Sequence, residues 1–166
     1  MNATRAASTD ELTIRNVGLA SAEAAALIAA LNAEMTARYP EVGATHFRLD
    51  ADEVAAGNGV FLVAALASEP VACGAIRRIA PGVAEIKRMY VVPQSRGSGI
   101  ARALLARLER EARALGASRI VLETGLRQPE ALALYGRAGY ATIAPYGEYI
   151  SSPLSVCMGK ELGLVD

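Results

Sequence analysis

The chain has 166 residues, 52% of them hydrophobic, which is enough for one good core and short for two; a single domain is expected over residues 11–166, after a polar, flexible stretch at 1–10. Lys plus Arg balances Asp plus Glu at 17 each and the basic residues are scattered, which argues against nucleic acid as a partner. No stretch approaches the roughly 18 uninterrupted apolar residues of a membrane span and residues 1–10 hold no apolar signal segment, so a cytoplasmic protein with no membrane partner, acting on small molecules, is expected.

Residues 12–17 alternate apolar with polar, the period-two signature of a half-buried strand. Ser21 and Ala24 have the form of a helix N-cap region, and Leu27, Ile28, Leu31 and Met35 recur at three-and-four spacing as far as Arg38, before Pro40 stops the helix. Residues 50–57 predict a second, short helix with acidic residues in its first turn, where the macrodipole favours them, and Gly57 at its end. Two β-rich runs, 60–67 and 71–79, flank Ser68–Glu69–Pro70 and suit an antiparallel hairpin. A turn at Pro81–Gly82 leads into a further strand, 83–92. There the apolar residues run Ile86, Met89, Val91, a step of three then two that a regular strand cannot keep on one face; a β-bulge near residues 88–90 would restore the register.

From Gly97 to Leu115 the period becomes helical, with Ile100, Leu104, Leu108 and Leu115 on one side, Arg102, Glu109, Arg110 and Arg113 on the other, and Gly116 as the stop. Residues 119–123 read as a short apolar strand, so strand, helix and strand make a right-handed parallel crossover. Arg127 or Gln128 opens a further helix with Pro129 in its first turn and Gly139 at its end. Residues 140–143 and 154–158 are the last two strands, joined by the loop 144–153. An antiparallel meander, a βαβ unit and a final strand pair predict an α+β (mixed α/β) fold rather than a doubly wound one.

The turn Gln94–Ser95–Arg96–Gly97–Ser98–Gly99 leaves a strand at Pro93 and enters a helix through two glycines. Backbone N–H groups at such a turn are unpaired and, with the helix dipole, form an anion site suited to phosphate. The glycines let a phosphate approach the main chain and Arg96 can add a charge-assisted contact; an ordinary strand-to-helix turn is the alternative. A P-loop is excluded because Ile100–Ala101 stand where Lys and Ser or Thr are required. A dinucleotide fingerprint fails at Arg102, which takes the place of a third small residue, although Glu123 imitates the ribose-binding acid. Cys73 and Cys157 lie in apolar runs and read as small buried hydrophobes; neither belongs to a metal motif, and no metal is expected.

These residues resemble the GNAT superfamily of N-acetyltransferases. The family's acyl-CoA signature, Gln or Arg, two residues, Gly, one residue, Gly or Ala, is met by Gln94, Gly97 and Gly99. Residues 86–91 look like the family's fourth strand, whose bulge splays it from the fifth, and residues 131–140 look like its last helix and sixth strand. The resemblance covers residues 12–162. It implies an acyl-CoA N-acyltransferase fold: a central, mostly antiparallel sheet with a parallel βαβ unit and helices on both faces.

Carried over position by position, it implies that the N–H groups of Gly97, Ser98, Gly99 and Ile100, with Arg96 and Ala101, hold the pyrophosphate of acetyl-CoA, the acyl donor. The main chain of Met89 and Val91 would pair with pantetheine, and a nearby N–H would polarise the thioester carbonyl. Gln128 stands where many members carry Asn and would reach the cofactor with a longer side chain. Tyr135 matches the tyrosine that protonates the leaving thiolate; its other reading is a packing aromatic. Glu85 matches a carboxylate that deprotonates the amine through water, or is a solvated charge paired with Arg77 or Lys87 across strands. Glu123 is an alternative base, and His46, the single histidine, reads as a surface loop residue. Tyr39, His46 and Phe47 on one side and Tyr146, Glu148 and Tyr149 on the other would line the acceptor's entry or cap the core; Arg77 and Arg78 could meet a carboxylate-bearing substrate or lie solvated. The implied function is direct transfer of an acetyl group to a primary amine of a small molecule or peptide, with a non-catalytic acyl-CoA sensor as the alternative. The fold leaves room for a homodimer formed through the last strands.

Overall fold

Strands that are apolar at every position need cover on both faces, and the sheet of this protein is covered twice. The computed structural model describes residues 11–163; the expectation for residues 1–10 falls outside them. Seven strands, β1 (Leu12–Asn16), β2 (Gly59–Leu66), β3 (Glu69–Ala80), β4 (Val83–Val91), β5 (Arg119–Gly125), β6 (Ala141–Thr142) and β7 (Ser155–Glu161), form one sheet in the order β1-β2-β3-β4-β5-β7-β6. Three helices, α1 (Ala22–Arg38), α2 (Ile100–Ala114) and α3 (Pro129–Arg137), accompany it. Along β2 the side chains divide between two cores. Val60, Leu62 and Ala64 join Leu104, Leu105 and Leu108 of α2 and Tyr135 of α3, while Phe61 and Val63 join Ala24, Leu27 and Leu31 of α1. Helices therefore lie on both faces of a mixed, mostly antiparallel sheet, as expected.

Local chemistry sets the element ends. The Ala24 N–H donates to the Ser21 hydroxyl at 3.2 Å, the N-cap read from the sequence. Residues 50–57 depart from the expected helix: they form a single 3-10 turn, Ala51–Val54, closed by a reciprocal Asp50–Glu53 capping box, and Ala55 is already extended at ψ 159°. The β2–β3 hairpin is also tighter than expected. Its loop is Ala67–Ser68, with φ of 47° and 70°, and Glu69 and Pro70 belong to β3. Two left-handed residues match the twist of the flanking strands, and Pro70 is accommodated next to a register shift. At the other end of the chain, β6 is two residues long and β7 runs on to Glu161, because β7 pairs with β5 along its whole length and with β6 only at Met158 and Gly159.

The bulge in β4 is present. Tyr90 pairs with Cys73 and Lys87 with Ala75, so Arg88 and Met89 together oppose Gly74, and Arg88 takes φ 58°. Ile86, Met89 and Val91 consequently share one core while Tyr90 points to the other. The bulge has a second effect. The parallel pairing of β4 with β5, the crossover predicted from the sequence, spans only Val83–Ile86 against Arg119–Leu122. Beyond it the two strands continue apart, to Val91 and Gly125, and leave a wedge-shaped gap in the middle of the sheet.

Candidate active site

The glycine turn closes one mouth of this gap. Gly97 and Gly99 have φ of 80° and 85°, where a side chain is strained, and the space a Cβ would enter is open at both. The first backbone hydrogen bond of α2 runs from the Ala103 N–H to the Gly99 carbonyl at 3.1 Å, so the N–H groups just before it have no helical acceptor. Gly97, Gly99, Ile100 and Ala101 line a cavity of about 590 Å³ that extends past Met89 and Val91 to α3. That volume is within the range of ordinary cofactor clefts. Unpaired amides at one end and an unpaired strand edge along the side fit an extended, phosphate-bearing group.

Other residues of the turn are placed differently. Gln94 and Ser98 are exposed, and the Ser98 hydroxyl donates to the Ser95 carbonyl at 2.6 Å. Arg96 spans both oxygens of Glu34 at 2.9 Å, donates from Nε to the Val91 carbonyl at 2.8 Å and lies over the Tyr90 ring. It thereby ties the turn to α1 and takes a main-chain acceptor expected to face the cofactor.

A smaller cavity of about 120 Å³ opens on the other side of the gap and shares Met89, Gln128, Ala131 and Tyr135 with the larger one. Tyr135 is buried at their junction, and burial, followed by the charge of Glu123, pushes its hydroxyl pKa well up. Glu123 lines the smaller cavity. Its Oε1 accepts the Ser155 hydroxyl at 2.7 Å, and burial drives its carboxyl up to about 7 against the pull of that bond.

Glu85 does not line either cavity. It is 1% exposed; Arg77 donates to its Oε1 at 2.9 Å and the Tyr146 hydroxyl donates to its Oε2. It is paired with Arg77 across strands, but buried rather than solvated. Arg77 is further held by Glu53, and Arg78 is exposed and caps α2 through the Leu115 carbonyl at 2.7 Å. Neither arginine lines the smaller cavity.

His46 is a correction to the surface reading. It lines the small cavity with Nε2 3.2 Å from the Ser152 hydroxyl and its ring edge-on to Tyr149. Phe47 and Tyr149 line the cavity too, Glu148 is half-exposed near it, and Tyr146 serves Glu85 instead. Tyr39 lines the cavity as a fixed post: its hydroxyl accepts the Arg127 N–H at 2.9 Å and donates to Gln128 Oε1 at 3.4 Å. A Cβ on Gly125 would lie 1.8 Å from that hydroxyl, so glycine is required there.

Two residues of the site escaped the sequence reading as site residues. Ser155 orients Glu123, and nothing in its local sequence marks it. Lys87 is buried beside the cavity; its signal was the period-two relation to Glu85 in a strand flanked on both sides by apolar strands. Both cysteines are buried; Cys73 donates to the Arg88 carbonyl at 3.3 Å and burial pushes its thiol to about 12, while burial also raises that of Cys157. Among the described residues no three His, Cys, Asp or Glu stand close enough to hold a metal ion, and no helix is long and apolar enough to cross a membrane.

A model of the family described as Acetyltransferase (GNAT) family matches residues 24–140. An IAA acetyltransferase of Azospirillum brasilense is 45% identical over 115 residues, covering 69% of this chain and 75% of that protein. A solved structure from Klebsiella pneumoniae, assigned as an acyl-CoA N-acyltransferase, superposes with a TM-score of 0.76 at 37% identity, over 92% of this chain and 98% of the other. The PaiA N-acetyltransferase of Thermoplasma acidophilum, solved in complex with coenzyme A, has the same fold at a TM-score of 0.68 and 17% identity, over 90% and 98%.

Proposed function

Because the chain belongs to the GNAT acetyltransferase family and is an acetyl-CoA-dependent acyltransferase, we propose that it acetylates a primary amine directly, with Glu123 as base and Tyr135 as acid. One observation carries this reading: the two cavities meet at Tyr135, with the glycine turn on the far side of one and Glu123 in the other. When bound, acetyl-CoA supplies a thioester carbonyl open to attack. The amides of Gly97, Gly99, Ile100 and Ala101, with Ser98 beside them, would hold the diphosphate, and the free edge of β4 at Met89 would offer main-chain groups to the pantetheine arm. Gln128, held by the Tyr39 hydroxyl at the start of α3, would face the donor.

The amine arrives protonated and must lose a proton before it can attack. A carboxyl held at about 7 is well matched to that task near neutral pH. Glu85, with both oxygens engaged, instead holds Arg77 in place. Tyr135 stays protonated at any working pH because burial raises its pKa, and so keeps a proton to give to the departing sulfur. Both thiols are buried and held in the neutral form, which supports transfer without a covalent acyl-enzyme.

Thiol release from acetyl-CoA against a panel of primary amines and short peptides tests the reading. Acceleration by at least one amine, slowed in Tyr135→Phe and Glu123→Gln with acetyl-CoA binding retained in calorimetry, is the expected result. Binding without release to any amine would leave a sensor, and a burst of CoA without acceptor, abolished by Cys157→Ala, would overturn direct transfer.

A further inference from the structure

Four buried side-chain atoms among the described residues have no hydrogen-bond partner: Lys87 Nζ, Arg88 Nε, Arg113 Nε and Thr124 Oγ1. Orphans of this kind are few in native proteins, and here three of the four residues line the small cavity. Arg88 is otherwise engaged, by Asn32 and the Phe47 ring. Lys87 is not. Its side chain is 5% exposed, and the nearest carboxylate oxygen, Glu148 Oε1, is 3.9 Å away, beyond hydrogen-bonding range and on a half-exposed residue.

The carboxylate nearest along its own strand face is spent, since Glu85 serves Arg77 and Tyr146. Burial accordingly lowers the Lys87 pKa, against the opposing pull of Glu85, Glu148 and Glu53. A buried ammonium with no hydrogen-bond acceptor, held only by a 3.9 Å ion pair to the half-exposed Glu148, is costly, and one lining this cavity has room for an anion supplied by the acceptor. The cavity already contains Glu123 for the amine end. Its volume of about 120 Å³ is below the roughly 150 Å³ that admits a benzene ring, so the part of the acceptor it encloses is short.

Resting on the transferase reading above, we propose that the acceptor is a small amino acid whose carboxylate is bound by Lys87 while its ammonium faces Glu123. Lys87 is then the specificity residue that selects carboxylate-bearing amines, the role that the sequence offered to Arg77 and Arg78.

The test compares matched acceptors on the wild type: small amino acids, their amides, the corresponding plain amines, and an aminoalkyl phosphate as the other anion. Amino acids should exceed their amides in kcat/KM by at least about thirtyfold, the low end for a buried, hydrogen-bonded charge pair that loses one partner. Lys87→Met should bring that ratio toward one, chiefly through KM for the amino acid. Calorimetric titration of the CoA-loaded protein with the amino acid gives a second readout, expected to lose its binding heat in Lys87→Met and to keep it in Tyr135→Phe. Should Lys87→Met not fold, competition by simple carboxylates without an amine against the wild type decides, inhibition being expected. Equal turnover of amides and amino acids, or preference for the phosphate, overturns this assignment and leaves amine acetylation standing; if no amine of any kind accelerates release, both fall.

Discussion

Replacing Glu123 with Gln should make the protein more stable while removing most of its catalysis. In the fold this carboxyl is held at about 7 against an ordinary value of 4.5. Between those values the folded state binds more protons than the unfolded one, so stability falls as pH rises from 4.5 to about 7 and stays reduced above it. A difference of about 2.5 in pKa at 1.36 kcal/mol each makes the full penalty about 3 kcal/mol. Gln carries no charge and can still accept the Ser155 hydroxyl, so Glu123→Gln should recover most of this at pH 8 and none at pH 4.5. For a domain of this size the gain corresponds to a rise in Tm of roughly 5–10 °C. Activity should move the other way, with kcat/KM at pH 8 down by about 10²–10⁴, the usual worth of a positioned base. The assay is thiol release from pH 5.5 to 9 beside thermal melts in the same buffers. Wild-type kcat/KM should fall below about pH 7, and the variant should lack that limb. A variant that keeps the limb, or that melts lower than wild type at pH 8, would refute the reasoning.

Tyr135→Phe should lower kcat by about 10²–10⁴ while leaving acetyl-CoA affinity close to wild type, checked by calorimetry beside the rate assay. Glu85→Gln should cost roughly 1–3 kcal/mol in urea unfolding, because it removes a buried charge from Arg77, which keeps Glu53, and should retain the limb near pH 7; loss of that limb would count against Glu123 as the base. Gly125→Ala should destabilise by about 1–3 kcal/mol, since the Tyr39 hydroxyl in its way is pinned on two sides, while Gly18→Ala, with open space around it, should leave the urea midpoint nearly unchanged.

What could be read before folding was whatever local geometry imposes on residue type. The glycine turn was visible because left-handed φ at residues 97 and 99 selects glycine, and the bulge because Ile86, Met89 and Val91 break the period of two in a way that only an extra residue repairs. That Glu85 is buried and paired while Glu123 lines the small cavity was not visible. Period-two reasoning assumes one wet face, and β4 is central with both faces covered, so charges at 85 and 87 that look solvated are buried. His46 turned inward for a similar reason: its partners, Ser152 and Tyr149, arrive from more than a hundred residues away. The hairpin misled in the opposite sense, because Pro70 is a turn-forming residue that here sits in a strand beside an irregularity.

The position of β7 in the sheet carries a consequence for biosynthesis. β1 to β4 form a meander of sequential neighbours and can assemble as the chain emerges, but β7, which follows β6 in sequence, inserts between β5 and β6. Until it does, Glu123 lacks the Ser155 hydroxyl, and Tyr149 and Leu154, which lead into β7, cannot close the small cavity. A nascent chain on the ribosome should therefore be inert until residue 155 and its strand have cleared the exit tunnel, however complete the glycine turn already is.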